Sequence, residues 1–152
     1  MNLKDTLSYA LDKLLGSGMD HAEGVINESE QKELNIESGK ISLFRTTFSN
    51  SLSLEAIKDH KQSSININKI DKNSIDSALE SLIDSVNSSQ ADDANSISEK
   101  QPAEIFKKGQ ISPDLNLMYD RVEDFSNYVK SEYKKIILEA VTLDHNSSKT
   151  YV

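Results

Sequence analysis

Between residues 22 and 69 the sequence changes polarity at nearly every second residue, and that period limits the fold more than any other feature. It runs through AEGVINES (22–29), KELNIES (32–38), ISLFRTTF (41–48), SLSLEAI (51–57) and SSININK (63–69). A period of two sends alternate side chains to opposite faces of a strand. The breaks between segments hold Gly, Ser, Asn, Asp and Lys, the residues of tight connections. Five successive strands with short breaks predict a mostly antiparallel meander. Within it, Ser38-Gly39-Lys40 predicts a hairpin turn between Leu34/Ile36 on one side and Ile41/Leu43 on the other. One face of such a sheet needs cover.

Two segments suit that task. Residues 2–15 place Leu3, Leu7, Ala10, Leu11, Leu14 and Leu15 on one helical face, with Asn2 as N-cap and Gly16 and Gly18 as the stop. Residues 74–87 place Ile75, Ala78, Leu79, Leu82, Ile83 and Val86 on one stripe, with Asn73 as the expected cap. The fold class read from these patterns is α+β, a mostly antiparallel sheet of about five strands covered by helices.

The remainder of the chain repeats this order in part. Residues 87–103 are polar and end at Pro102. A third helix is expected from Ser112 as N-cap and Pro113 at the first helical position, with Leu115, Met118, Tyr119, Val122, Phe125 and Val129 as its apolar stripe. A strand over 135–143, a polar turn through Asp144–Ser148 and the opening of a further strand follow. This helix-then-strand order echoes the first forty residues, and the second copy is unfinished. The expected organisation is an N-terminal α+β domain at 1–90, a linker or surface loop at 91–111, and the truncated start of a next domain at 112–152. On this reading the 152 residues belong to a longer protein. Ile136, Ile137, Leu138, Val141 and Leu143 form an apolar run suited to a strand covered on both faces. With its hairpin partner from Thr150 cut off, the run is expected to act as a self-association edge, pairing with the sheet or with another chain.

Composition excludes several functions. The net charge of −8 with no run of five basic residues argues against a nucleic-acid surface. With no cysteine there is no disulfide, thiolate metal site or Cys nucleophile. MNLKDTLSYALDKLL is amphipathic and lacks the apolar core of a signal peptide, and no segment approaches the roughly 20 apolar residues of a membrane span. A soluble, cytoplasmic protein with no membrane contact is the expectation.

The residues that could carry chemistry do not assemble into a motif. His21, His60 and His145 are not spaced as paired metal ligands, and all three fall at predicted loops or turns. Ser38-Gly39-Lys40 lacks the earlier glycine and the following helix of a phosphate loop. DKNSID (71–76) opens like a calcium loop, but Asp76 stands at the position that needs Gly, so it reads as a charged helix start. Arg45, the only Arg in the first hundred residues, is expected to pair with a cross-strand Glu rather than with an anionic ligand. There is no G-x-S-x-G elbow. Asp92-Asp93 lies in the polar segment, where nothing would tune its pKa, and the three Asn-x-Ser sequons have no secretory signal beside them. No catalytic, metal-binding or cofactor-binding residue emerges.

The order of these elements, with AEGVINESEQKELNIESGKISLF, SLSLEAI, QSSININKIDKNSIDSAL, ISPDLNL and KKIILEAVTLD in sequence, resembles the N-terminal region of the TldD/PmbA family. That family is also described as modulators of DNA gyrase and includes zinc-dependent peptidases. The resemblance covers nearly the whole chain and rests on a succession of short motifs. Ser51 and Ser53 replace the family's strand glycines, and Glu55 stands near the place of an Arg common in TldD-type members, which looks more like the PmbA (TldE) branch.

The resemblance implies a zinc site downstream, in a His-Glu-x-x-x-His helix that this chain does not contain. No ligand or catalytic residue therefore carries over, and zinc would belong to the full assembly only. The implied function is a non-catalytic N-terminal module, structural and partner-contacting, in a peptidase-family assembly acting on peptides or unfolded polypeptides. Its partner would be a TldD-type subunit or a second copy. Two alternatives stand beside it: the wall of an active zinc peptidase whose metal site lies downstream, and an unrelated stand-alone binding module. A His-Glu-x-x-x-His motif in a downstream sequence would favour the first alternative, and a native stop after Val152 the second.

Overall fold

The computed structural model describes residues 2–38, 40–98 and 101–152. Its elements are α1 (Leu3–Gly16), β1 (His21–Glu37), β2 (Lys40–Lys58), β3 (Lys61–Ile67), α2 (Lys72–Ser88), α3 (Leu115–Glu132) and β4 (Ala140–Tyr151). The strands form one antiparallel sheet in the order β3-β2-β1-β4. The α+β class is as expected, but the strands are fewer and longer. Segments 22–29 and 32–38 join into β1, and 41–48 and 51–57 into β2. None of Glu30, Gln31, Ser49 and Asn50 at the expected breaks is Gly or Pro. Each can hold extended backbone and keep its N–H for the ladder. The true reversals are the β1–β2 turn at Ser38, which has φ 50°, and the β2–β3 turn at Asp59-His60, with φ 50° and 61°. Two successive positive-φ residues match the twist of a two-residue hairpin, and β2 and β3 pair from Lys58↔Lys61 to Leu52↔Ile67.

The end of the chain departs from expectation. Residues 135–139 are not strand, and the polar stretch Asp144–Ser148 is not a turn. Instead β4 runs unbroken through it. The strand alternates between half-buried and exposed positions, so polar residues fit without apolar cover on both faces. Thr150, expected to open a second strand, lies inside β4 and donates to Asn27 Oδ1 at 2.8 Å. Ser38 N–H bonds the Glu139 carbonyl at 3.1 Å.

Helix ends follow capping chemistry. Asn2 caps α1 by accepting from Asp5 N–H at 2.8 Å. At the other end, Gly18 N–H bonds Leu15 O and Met19 N–H bonds Leu14 O, a Schellman closure made possible by the positive φ of 86° at Gly18. Asp71, rather than Asn73, caps α2, accepting from Ser74 N–H and Ser74 Oγ. Asp114, rather than Ser112, caps α3, accepting from Asn116 and Leu117 N–H, so Pro113 lies before the helix. In both corrections a carboxylate takes the cap, where it also meets the positive end of the helix dipole.

The chain divides into two compact units, Met1–Glu28, Ser49–Phe106 and Lys149–Val152 in one, Ser29–Phe48 and Lys107–Ser148 in the other. In the first, Leu7, Ala10 and Leu14 of α1 and Ile75, Leu79, Leu82 and Val86 of α2 close over Ile26, Leu52, Leu54 and Ala56 of the strands. In the second, Met118 and Val122 of α3 cover Leu34 and Ile36, with Val141 and Leu143 packed alongside. The stripe of α3 is narrower than expected. Met118, Val122 and Ser126 are buried, whereas Leu115, Tyr119 and Phe125 are exposed. One row of residues four apart seats on the sheet, and the flanking rows turn away from it.

Gly24 marks the tightest approach in the first core. A Cβ there would lie 2.7 Å from Leu54 Cδ2, 2.9 Å from Leu7 Cδ1 and 3.1 Å from the Ser53 carbonyl. Both leucines are buried and have no room to move aside. Gly24→Ala is therefore expected to destabilise by about 1–3 kcal/mol in urea unfolding. Gly16→Ala, where nothing lies within 4 Å, is expected to stay within about 0.5 kcal/mol of the parent or gain slightly.

Candidate functional site

The densest polar cluster of the first unit joins α1 to α2. Tyr9 and Lys13 lie one turn apart on α1, and Lys72 and Asp76 one turn apart on α2. Asp76 Oδ1 accepts from Tyr9 Oη at 2.6 Å and from Lys13 Nζ at 2.9 Å, and Oδ2 accepts from Lys72 Nζ at 2.6 Å. Both ammonium groups also sit over the Tyr9 ring, 5.3 and 5.2 Å from its centroid. The Lys72 ammonium, then Tyr9 and Lys13, hold the Asp76 carboxyl well below its ordinary range. Asp76, then Tyr9, raises both lysines above theirs. A lysine acting as base or nucleophile needs the opposite shift. The cluster's chemistry is that of an ionic clip between two helices.

On the hairpin of the second unit, Arg45 Nη2 donates to Glu33 Oε2 at 2.8 Å and Asn35 Nδ2 to Glu33 Oε1 at 2.9 Å. Arg45 thus makes the cross-strand pair expected of it. The guanidinium, assisted by Asn35, pulls the Glu33 carboxyl down against a smaller effect of burial. Both Glu33 oxygens are engaged by donors, which leaves this carboxylate a poor proton acceptor.

The histidines do not converge. His21 opens β1 and His145 lies within β4, both on strands rather than in the loops expected, while His60 is in the β2–β3 turn. His60 Nδ1 is 4.0 Å from Asp93 Oδ1, and His145 Nε2 is 3.1 Å from the Gln110 carbonyl. Among the described residues no group of three or more His, Asp or Glu could hold a metal ion. Asp71 and Asp76 of the calcium-like stretch serve as cap and clip. Lys40 begins β2 beyond the turn, and the Gly39 of Ser38-Gly39-Lys40 lies outside the described residues. Glu55, Gln62, Ser64, Asp92 and Asn95 line an open polar depression of about 650 Å³ in the first unit, with the Glu55 carboxylate bound by Gln62 Nε2. No cationic or aromatic side chain is among the described residues that line it.

Of the five residues expected as an association edge, Ile136 and Ile137 are exposed and Leu138 is half-buried, all three before β4. Val141 and Leu143 pack onto the second core. β4 is one of the two edge strands of the sheet, β3 the other. No helix of the described residues is long and apolar enough to cross a membrane.

No family model matches this sequence, and no curated protein matches it. Solved structures do. A proposed modulator of DNA gyrase from Bacteroides thetaiotaomicron is 16% identical with a TM-score of 0.66, over 97% of this chain and 35% of that one. TldE from Thermococcus kodakarensis is 13% identical with a TM-score of 0.64, over 97% and 34%. A proposed modulator of DNA gyrase from Thermotoga maritima is 9% identical with a TM-score of 0.62, over 97% and 34%.

Acidification tests the two ion pairs. Asp71, Asp76 and Glu33 all have folded pKa values below their ordinary 3.8, 3.8 and 4.5. Their stabilisation is present above those values and is lost as pH falls through the lower folded ones. The lysine side of the clip is lost only as pH rises past the ordinary lysine value of 10.5. Thermal melts are expected to be flat from about pH 6 to 9 and to fall below about pH 4, with Asp76→Asn falling less steeply over the acid limb than the parent.

The chain spans about a third of the length of these structures and, across that third, has a PmbA/TldE-like fold.

Proposed function

We propose that the chain is a non-catalytic module of a PmbA/TldD-type protein, supporting and contacting the rest of an assembly that acts on peptides or unfolded polypeptides. The observation that carries this reading is the match over 97% of the chain to about a third of TldE and of two gyrase-modulator structures. The polar clusters agree with it. Asp76 and Glu33 are consumed in ion pairs, and Lys13 and Lys72 are held protonated. None of these groups is tuned as an acid, base or nucleophile near neutral pH. The TldE likeness favours the partner-dependent branch over the wall of a complete zinc peptidase, and any zinc would be held by other parts of the assembly.

Two measurements on the chain test the reading. Zinc calorimetry at neutral pH is expected to show no stoichiometric site, and a submicromolar one would overturn the assignment. Incubation with unfolded protein or short peptides, with and without zinc, is expected to show cleavage no faster than buffer. Turnover by the purified chain would make it an enzyme in its own right.

A further inference from the structure

Helix α3 carries a second stripe beside the one it buries. Leu117, Arg121, Asp124 and Tyr128 follow at spacings of four, three and four residues, with Phe125 next to them. That is the pitch of a seam between two helices. Leu117, Phe125 and Tyr128 are 45%, 50% and 57% exposed. Tyr133 meets the Tyr128 ring edge-on at 6.3 Å. Ile136 N–H bonds the Tyr133 carbonyl, which folds the exposed Ile136 back beside it. Arg121 and Asp124 make no ion pair among the described residues. The charges also follow a net order along the helix, with Asp114, Asp120, Glu123 and Asp124 outweighing Arg121 from the cap to the middle and Lys130, Lys134 and Lys135 outweighing Glu132 at or beyond its end.

We propose that this flank is a self-docking surface, on which a second copy of the chain lays its own α3 antiparallel. Symmetric pairing about Asp124-Phe125 sets Arg121 against Asp124 and Tyr128 of the second copy, and Leu117 against the Tyr133 end. Each acidic helix start then faces a basic helix end, and the two helix dipoles oppose. A parallel pairing would bring like charges together. Charge order therefore selects both the occupant, a chain with the same gradient, and its direction. The inference is independent of the supporting role proposed above. An 18-residue helix is about 27 Å long. One flank of it falls short of the roughly 1,200–2,000 Å² of a stable interface, so the dimer is a weak one, populated at high concentration.

Sedimentation velocity of the chain from about 10 μM to about 1 mM reads the result. The parent is expected to shift from monomer to dimer. Phe125→Glu should weaken association at least about tenfold. Arg121→Glu and Asp124→Arg should each weaken it, and the double swap should restore it, because the exchanged charges meet again across the seam. These side chains are exposed, and far-UV circular dichroism confirms that each variant keeps its helices. A parent monomeric throughout overturns the proposal. So does a dimer indifferent to Phe125→Glu, which would place the contact elsewhere, such as the outer edge of β4. A double swap no better than the single changes overturns the antiparallel seam.

Discussion

The alternation of side chains along β1 and β2 is the constraint on which each core rests. Gly24, Ile26, Leu34 and Ile36 are buried on β1, and Leu52, Leu54 and Ala56 on β2. Within each core these recur at every second position, while Glu33 and Ile57 are buried beside them at odd positions. Within each core the period of two puts the apolar side chains of its strand segments on one face. A slip of one residue would turn every one of these side chains to the opposite face. The bare approach at Gly24 lets Leu7 and Leu54 meet over the strand, which seats α1.

The polar clusters are placed by that scaffold and serve it. Asp76 gathers a phenol and two ammonium groups because Tyr9 and Lys13, like Lys72 and Asp76, are four residues apart on their helices, and because α1 and α2 pack together. Glu33 is closed by Arg45 across the hairpin. Such groups narrow the freedom of the elements they join, and charges held this firmly are ill suited to move protons near neutral pH.

The two units differ in their surfaces. Most of the chain's acidic excess lies in the first, whereas most of its large exposed apolar side chains, among them Phe44, Phe48, Phe125, Tyr128 and Ile137, lie in the second. Contiguous exposed apolar surface marks interaction sites.

Local chemistry was legible in the residues themselves: the strand period, the faces of α1 and α2, the Asn2 cap, the glycine stop of α1 and the Arg45 cross-strand pair. Each depends on neighbours a few residues away or directly across one turn. The same signals could not set where strands end, because polar Glu30-Gln31 and Ser49-Asn50 are as compatible with extended backbone as with a break, and only the neighbouring ladder decides. Nor could they foresee that β4 would run through Asp144–Ser148, since that stretch is held by pairing with β1, more than a hundred residues earlier. The narrow buried stripe of α3 and the gathering of Tyr9, Lys13, Lys72 and Asp76 likewise came from tertiary packing. The sequence by itself determined which faces could be buried. Only the assembled sheet decided which of them were, because burial requires a partner surface that no local pattern contains.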